Sequence, residues 1–149
     1  MKSPKWLDRI LYPFTHHTTV LESGTMHYVD EGDGEPIVLV HGTPTWSFVW
    51  RQQIKSLSRT HRCIAPDHLG FGLSDKPRDF AYTPEAHADN LEQLIQRLSL
   101  KNITLVVHDF GGPIGLRYAI RNPENVKRLV ILNTWMWSLE NEPQMMKIS

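Results

Sequence analysis

The run Val107-His108-Asp109-Phe110-Gly111-Gly112 joins a short apolar stretch to a segment with helical spacing and sets a carboxylate at the junction. A side chain on a tight strand-to-helix turn is held exposed, and small residues after it let the helix lie close against the strand. The serine form of this turn, Gly-x-Ser-x-Gly, does not occur in the chain. With aspartate in its place, an oxygen of Asp109 attacks carbon and leaves an alkyl or acyl ester on the enzyme. Aspartate is also favoured as a helix cap, so the turn alone leaves both roles open.

A second segment bears on that choice. The apolar run Ile37-Val38-Leu39-Val40 ends at His41-Gly42-Thr43-Pro44. Here the backbone N–H groups of Thr43 and Phe110 would converge on one point and hold an oxyanion or a departing anion. Read alone, His41-Gly42 is a sharp turn after a strand. Two such motifs on successive apolar strands favour the chemical reading, with Asp109 catalytic and Thr43 and Phe110 forming an oxyanion or halide pocket.

These residues need strands to end at the same edge. Residues 19–30 read as two short strands around Ser23-Gly24, and 37–40 and 103–107 as strands buried on both faces. Residues 45–57 place Trp46, Val49, Trp50, Ile54 and Leu57 at spacings of three and four, which indicates an amphipathic helix. Cys63-Ile64-Ala65 makes a further strand, and 67–77 a glycine-bearing loop. Thr83-Pro84-Glu85 opens a second helix, with threonine as cap and a stripe of Leu91, Leu94, Ile95 and Leu98. Residues 111–120 form a third helix and 129–132 a last strand. Strands alternating with helices imply parallel pairing, so the class is α/β with an antiparallel hairpin at one edge.

Composition narrows the partners. The 149 residues carry 16 basic and 16 acidic side chains, so no basic field exists to hold nucleic acid or an anionic membrane. No apolar run approaches the length that spans a bilayer, and the N-terminus lacks a signal-peptide pattern; a cytoplasmic location is expected. The single Cys63 fits a reducing compartment. No cofactor and no metal site is expected, because adjacent His16 and His17 point oppositely on an extended segment. Asp30, Glu31, Asp33 and Glu35 read as a solvated turn.

The segments His41–Phe48, Asp67–Pro77 and His108–Gly112 together resemble the haloalkane dehalogenases, from Tyr28 to Trp137. The resemblance implies an α/β-hydrolase fold, mostly parallel with an antiparallel N-terminal hairpin. It also implies a hydrolase in which Asp109 displaces a leaving group from a small apolar substrate and a histidine-activated water then cleaves the ester. Phe110 stands where that family usually carries a halide-binding tryptophan, Thr43 where many members carry asparagine, and Asn133 where one branch carries its acid. Epoxide hydrolysis and β-lactone decarboxylation, seen in near relatives of the dehalogenases, are therefore alternatives. The substrate is accordingly a haloalkane, an epoxide or a lactone.

In this family the acid and the histidine follow the nucleophile, and every histidine here precedes Asp109. The eight read as surface or structural residues. The chain is expected to be truncated before the lid and last strands and incapable of turnover, a catalytically incomplete fragment. Residues 1–18 form an N-terminal arm, 19–134 the first part of the hydrolase core, and 135–149 the start of a lid or connecting segment, where Trp135 and Trp137 line the pocket or pack. The last strand would be an exposed apolar edge open to self-association.

Overall fold

The computed structural model of the chain describes residues 4–136. One sheet contains β1 (His16–Leu21), β2 (Gly24–Glu31), β3 (Pro36–Val40), β4 (Arg62–Pro66), β5 (Ile103–His108) and β6 (Val126–Leu132). They lie in the order β1-β2-β4-β3-β5-β6. The β1–β2 and β2–β4 pairings are antiparallel, and those of β4 with β3, β3 with β5 and β5 with β6 are parallel. Helices α1 (Arg51–Leu57), α2 (Pro84–Arg97) and α3 (Gly111–Arg121) make the crossovers.

Alternation along the central strands builds two apolar layers. Val38 and Val40 on β3, with Leu105 and Val107 on β5, pack with Leu91 and Leu94 of α2 and Ile114 of α3. Their neighbours Ile37, Leu39 and Val106 belong to the opposite layer with Trp50, Ile54 and the N-terminal Leu7 and Tyr12. Cover on both faces explains why these strands read as continuous apolar runs. Cys63 lies buried in the second layer, its thiol pushed up to about 11 by burial and then by Asp30, so it packs as a neutral apolar group.

Connection order places the reactive edge. The crossover through α1 leads from β3 to β4 on one side, and the crossover through α3 leads from β5 to β6 on the other. The carboxyl ends of adjacent β3 and β5 therefore flank a crevice at a topological switch point.

Three element bounds differ from the sequence reading. The helix anticipated over 45–57 opens with a 3-10 turn, Ser47–Trp50, before α1 begins. Its first residue is tied elsewhere: Ser47 N–H donates to Asp67 Oδ1 at 2.8 Å, and its hydroxyl bonds the Tyr12 hydroxyl. β1 starts at His16 rather than residue 19, and β6 at Val126 rather than residue 129. In each case backbone pairing to the neighbouring strand extends the element through polar residues.

The acidic turn also does more than meet water. Asp30 accepts two hydrogen bonds from Arg62, at 2.9 and 2.7 Å, and Glu35 pairs with Lys127 and Arg128. His16 and His17 do point to opposite faces, one bonded to the His27 ring at 2.9 Å and the other stacked on Tyr28. Among the described residues no helix is long and apolar enough to cross a membrane.

Candidate active site

Asp109 sits between β5 and α3 at φ 51°, a left-handed conformation that a residue with a Cβ adopts only at a cost. Several bonds hold it there. Its N–H donates to the Asn133 carbonyl at 3.2 Å, and its own carbonyl accepts from Gly112 N–H at 2.9 Å and from the Thr134 hydroxyl. The side chain does not spend itself on capping α3, whose cap position is Phe110. Oδ1 of Asp109 accepts instead from the Thr43 N–H, at 2.9 Å, at the end of β3.

Two glycines make this approach possible. A Cβ on Gly42 would overlap the Asp109 carboxylate, and one on Gly111 would run into the carbonyl oxygens of Val40 and His41. The β3 end, the turn and the start of α3 are thus in contact through positions where no side chain fits. Phe110 follows on the open side, 39% exposed, with its ring edge-on to Trp135 at 5.0 Å.

The site rests on a stack of imidazoles. His41 and His68 lie 4.3 Å apart by ring centroids, and His68 and His87 5.1 Å. His41 donates from Nδ1 to the Gly42 carbonyl and accepts the His68 N–H at Nε2, while His68 Nε2–H donates to the His41 carbonyl. Each ring nitrogen so engaged belongs to a neutral tautomer. Burial lowers the titration range of all three. For His68 the other two rings add to burial, and His87 falls to about 4 through burial and then His41.

Beside this stack, Asp67 organises the loop. Burial pushes its carboxyl up, but the hydrogen bond and charge of His27, then the N–H of Leu73 and the side chain of Ser47, outweigh that and hold it below the usual carboxylate range. Ser74 closes the loop by donating to the Asp67 carbonyl and accepting from His27 N–H. Thr43, His68, Phe71, His87 and Phe110 wall a cleft of about 250 Å³ above the stack.

A family model described as the alpha/beta hydrolase fold matches residues 35–148. The chain belongs to that family. This α/β-hydrolase chain is 53% identical over 136 residues to a cis-3-alkyl-4-alkyloxetan-2-one decarboxylase of Shewanella oneidensis, covering 89% of the chain and 42% of the relative. It is 43% identical over 130 residues to haloalkane dehalogenase 2 of Mycobacterium bovis, covering 87% and 46% respectively. Among solved structures, the haloalkane dehalogenase DpaA of Paraglaciecola agarilytica superposes with a TM-score of 0.82 at 34% identity, over 95% of this chain and 54% of that one. The epoxide hydrolase CorEH superposes with a TM-score of 0.78 at 34% identity, over 83% and 43%. The chain spans about half the length of the curated relatives it matches.

The sequence names Asp109 as nucleophile and the N–H groups of Thr43 and Phe110 as an anion pocket; in the structure the Thr43 N–H meets Asp109 Oδ1, and Phe110 shares a cleft wall with Thr43. Sequence reasoning had no way to assemble His41, His68 and His87, which arrive from three separate segments. Trp135 lies against Phe110; Trp137 falls outside the described residues. Asn133 contributes its backbone carbonyl to the turn.

Proposed function

We propose that this chain carries the attacking part of an enzyme that opens small apolar electrophiles by forming an ester on Asp109, and that its natural electrophile is a β-lactone. The observation that carries the reading is the Asp109 turn: a carboxylate in left-handed backbone, tethered by one N–H, next to a cleft without a charged wall.

One Asp109 oxygen attacks carbon, the new C–O bond forming as the bond to the leaving atom breaks, and the electron pair departs with that atom. From a haloalkane it leaves as halide. From an epoxide it leaves as an alkoxide that must take a proton. From a β-lactone attacked at the ring carbon that bears oxygen, it leaves as a carboxylate still attached to the substrate. Phe110 offers no side-chain donor to a halide, whereas a carboxylate spreads its own charge over two oxygens. The relative named for oxetanone decarboxylation points the same way.

The lactone route also makes the smallest demand on the chain. Hydrolysis of an ester needs a base to activate water, and His41 and His68 are committed to backbone hydrogen bonds. Decarboxylation needs no water. The electron pair of the C–CO2 bond becomes the new double bond as the Asp109–carbon bond breaks, releasing carbon dioxide, an alkene and the free Asp109 carboxylate.

The test exposes the chain separately to a bromoalkane and to a cis-dialkyl β-lactone, reading intact mass, bromide and alkene. A persistent gain of one alkyl group on Asp109 with release of bromide is expected from the first, and alkene beyond one equivalent from the second. Asp109→Asn, which tolerates the same left-handed backbone, is expected to abolish both. Unmodified protein and no product from either compound would remove the ester reading; bromide turnover without alkene would restore the dehalogenase reading.

A further inference from the structure

A line of hydrogen bonds runs from the protein surface to a fully buried carboxylate. In the β1–β2 register Thr18 faces His27, so His16, two residues before Thr18, shares that face of the hairpin. The rings meet there, His16 Nδ1 against His27 Nε2 at 2.9 Å, and His27 Nδ1 meets Asp67 Oδ2 at 2.9 Å. His27 and Asp67 are fully buried. His16 is half-buried, and its Nε2 neither bonds a described residue nor lies buried. We propose that His16 and His27 form a proton relay that takes a proton from solvent and delivers its charge to the buried Asp67, so that the loop Asp67 organises answers to pH.

Asp67 fixes the direction of the line. An ionised carboxylate only accepts, so His27 donates from Nδ1; neutral His27 then accepts at Nε2, and His16 donates from Nδ1. The lone pair on His16 Nε2 is left as the place where a proton arrives. When it binds there, the Nδ1–H bond of His16 breaks as an N–H bond forms at His27 Nε2. His16 ends neutral with its hydrogen on Nε2, and an imidazolium faces Asp67; one proton has been gained from water and none lost. Burial, then His27, the amino terminus and Arg9, lower the His16 titration range against the pull of Asp67, so His16 hands the charge on. Tyr12, whose ring lies 5.8 Å from that of His16, supplies no proton, because its hydroxyl bonds Ser47 and burial, then Asp67, push its titration up.

The charge matters because the loop wraps Asp67. The carboxylate accepts from the N–H groups of Leu73 and Ser47, each at 2.8 Å, and Gly72, at φ 50°, has no room for a Cβ beside it. A hydrogen bond from an imidazolium to a carboxylate is stronger than one from a neutral ring. The loop that brings His68 and Phe71 to the cleft wall is therefore pinned more tightly once the relay is charged.

Nitrogen-15 NMR of the histidine rings between about pH 8 and pH 5 tests the relay. In the wild type the His16–His27 pair is expected to take up one proton as a unit, with the hydrogen appearing on His27 Nε2 and exchanging rapidly with water. His16→Gln keeps a side-chain donor for His27 Nε2 but cannot take one proton and pass on another. His16→Phe keeps a ring against Tyr12 and has no nitrogen. In both variants, exchange of the His27 ring hydrogens with water is expected to slow by about tenfold or more. The Leu73 amide of the wild type is expected to gain about threefold or more in protection factor over His16→Gln at the acid end, and none at pH 8. The proposal is overturned when His27 Nε2 gains no hydrogen in the wild type, when either folded variant exchanges its His27 ring hydrogens as fast as the wild type, or when Leu73 protection is equal in wild type and variant throughout. None of these readouts involves Asp109, so the relay and the ester reading fail separately.

Discussion

The reactivity proposed for Asp109 depends on the absence of atoms around it. Gly42 has no Cβ because the Asp109 carboxylate occupies that space, and the Thr43 N–H that steadies Oδ1 belongs to the next residue. Gly42→Ala is therefore expected to displace the carboxylate, slow ester formation by about tenfold or more, and cost about 1–3 kcal/mol of stability through overpacking. Rates of adduct formation and denaturant midpoints measured on the same sample check both effects. Gly111→Ala meets backbone oxygens of Val40 and His41, which cannot swing aside as a side chain can. It is expected to lose at least as much stability, read by the same melts. The identity of Asp109 was legible because an acid interrupts an apolar run before two glycines. Its hydrogen bond to Thr43 was not, because the sequence permits a capping role equally well and only the packed β3 end decides between them.

At the scale of elements, pH is the sensitive variable. His41, His68 and His87 come from the end of β3, the loop after β4 and the first turn of α2, and all three titrate lower folded than unfolded. An unfolded chain then binds protons that the folded chain refuses. Stability rises with pH across this window, and is lost as pH falls from about 6.5 towards 4. Asp67 is held low, so its contribution disappears only below its ordinary value of 3.8 and forms a second, more acid step. Urea unfolding at a series of pH values is expected to show both steps, and His87→Phe to flatten the first. Thr83→Ala, which removes the cap of α2, is expected to cost about 1 kcal/mol with no change in that pH slope.

What the sequence disclosed at this scale follows from burial. β3 and β5 were legible because strands covered on both faces must be apolar throughout, and α2 because its cap, its proline and its stripe agree. β1 and β6 were cut short because their first residues, His16-His17-Thr18 and Val126-Lys127-Arg128, are mostly polar and sit at sheet edges. There, backbone pairing decides the conformation and side chains carry little signal. The 3-10 turn before α1 was hidden for a different reason: its apolar spacing is helical, and the constraint comes from Asp67, twenty residues away.

For the whole molecule the feature that governs association is the β6 edge of the sheet. Leu129, Val130, Ile131 and Leu132 are between 40% and 55% exposed in succession, so both faces of this edge strand meet solvent. A formal net charge of zero offers little repulsion between copies. Concentration-dependent association is expected in sedimentation velocity, and Ile131→Lys is expected to shift the chain towards monomer without lowering its melting point. Persistent association in that variant would place the contact elsewhere.

The same strand has a signature in hydrogen–deuterium exchange. In a parallel pair, alternate residues of β6 direct their amides at β5, and the intervening ones face outward from the sheet. Beyond the register shift that leaves Lys127 without a partner, exchange along 128–132 should therefore split into a slow set and a fast set that interleave residue by residue, where 104–107 of β5, paired on both sides, exchange slowly throughout. Any strand that docks on this edge would silence the fast set and leave the slow set unchanged. Five consecutive amides thus form a built-in gauge of whether a strand lies against this edge.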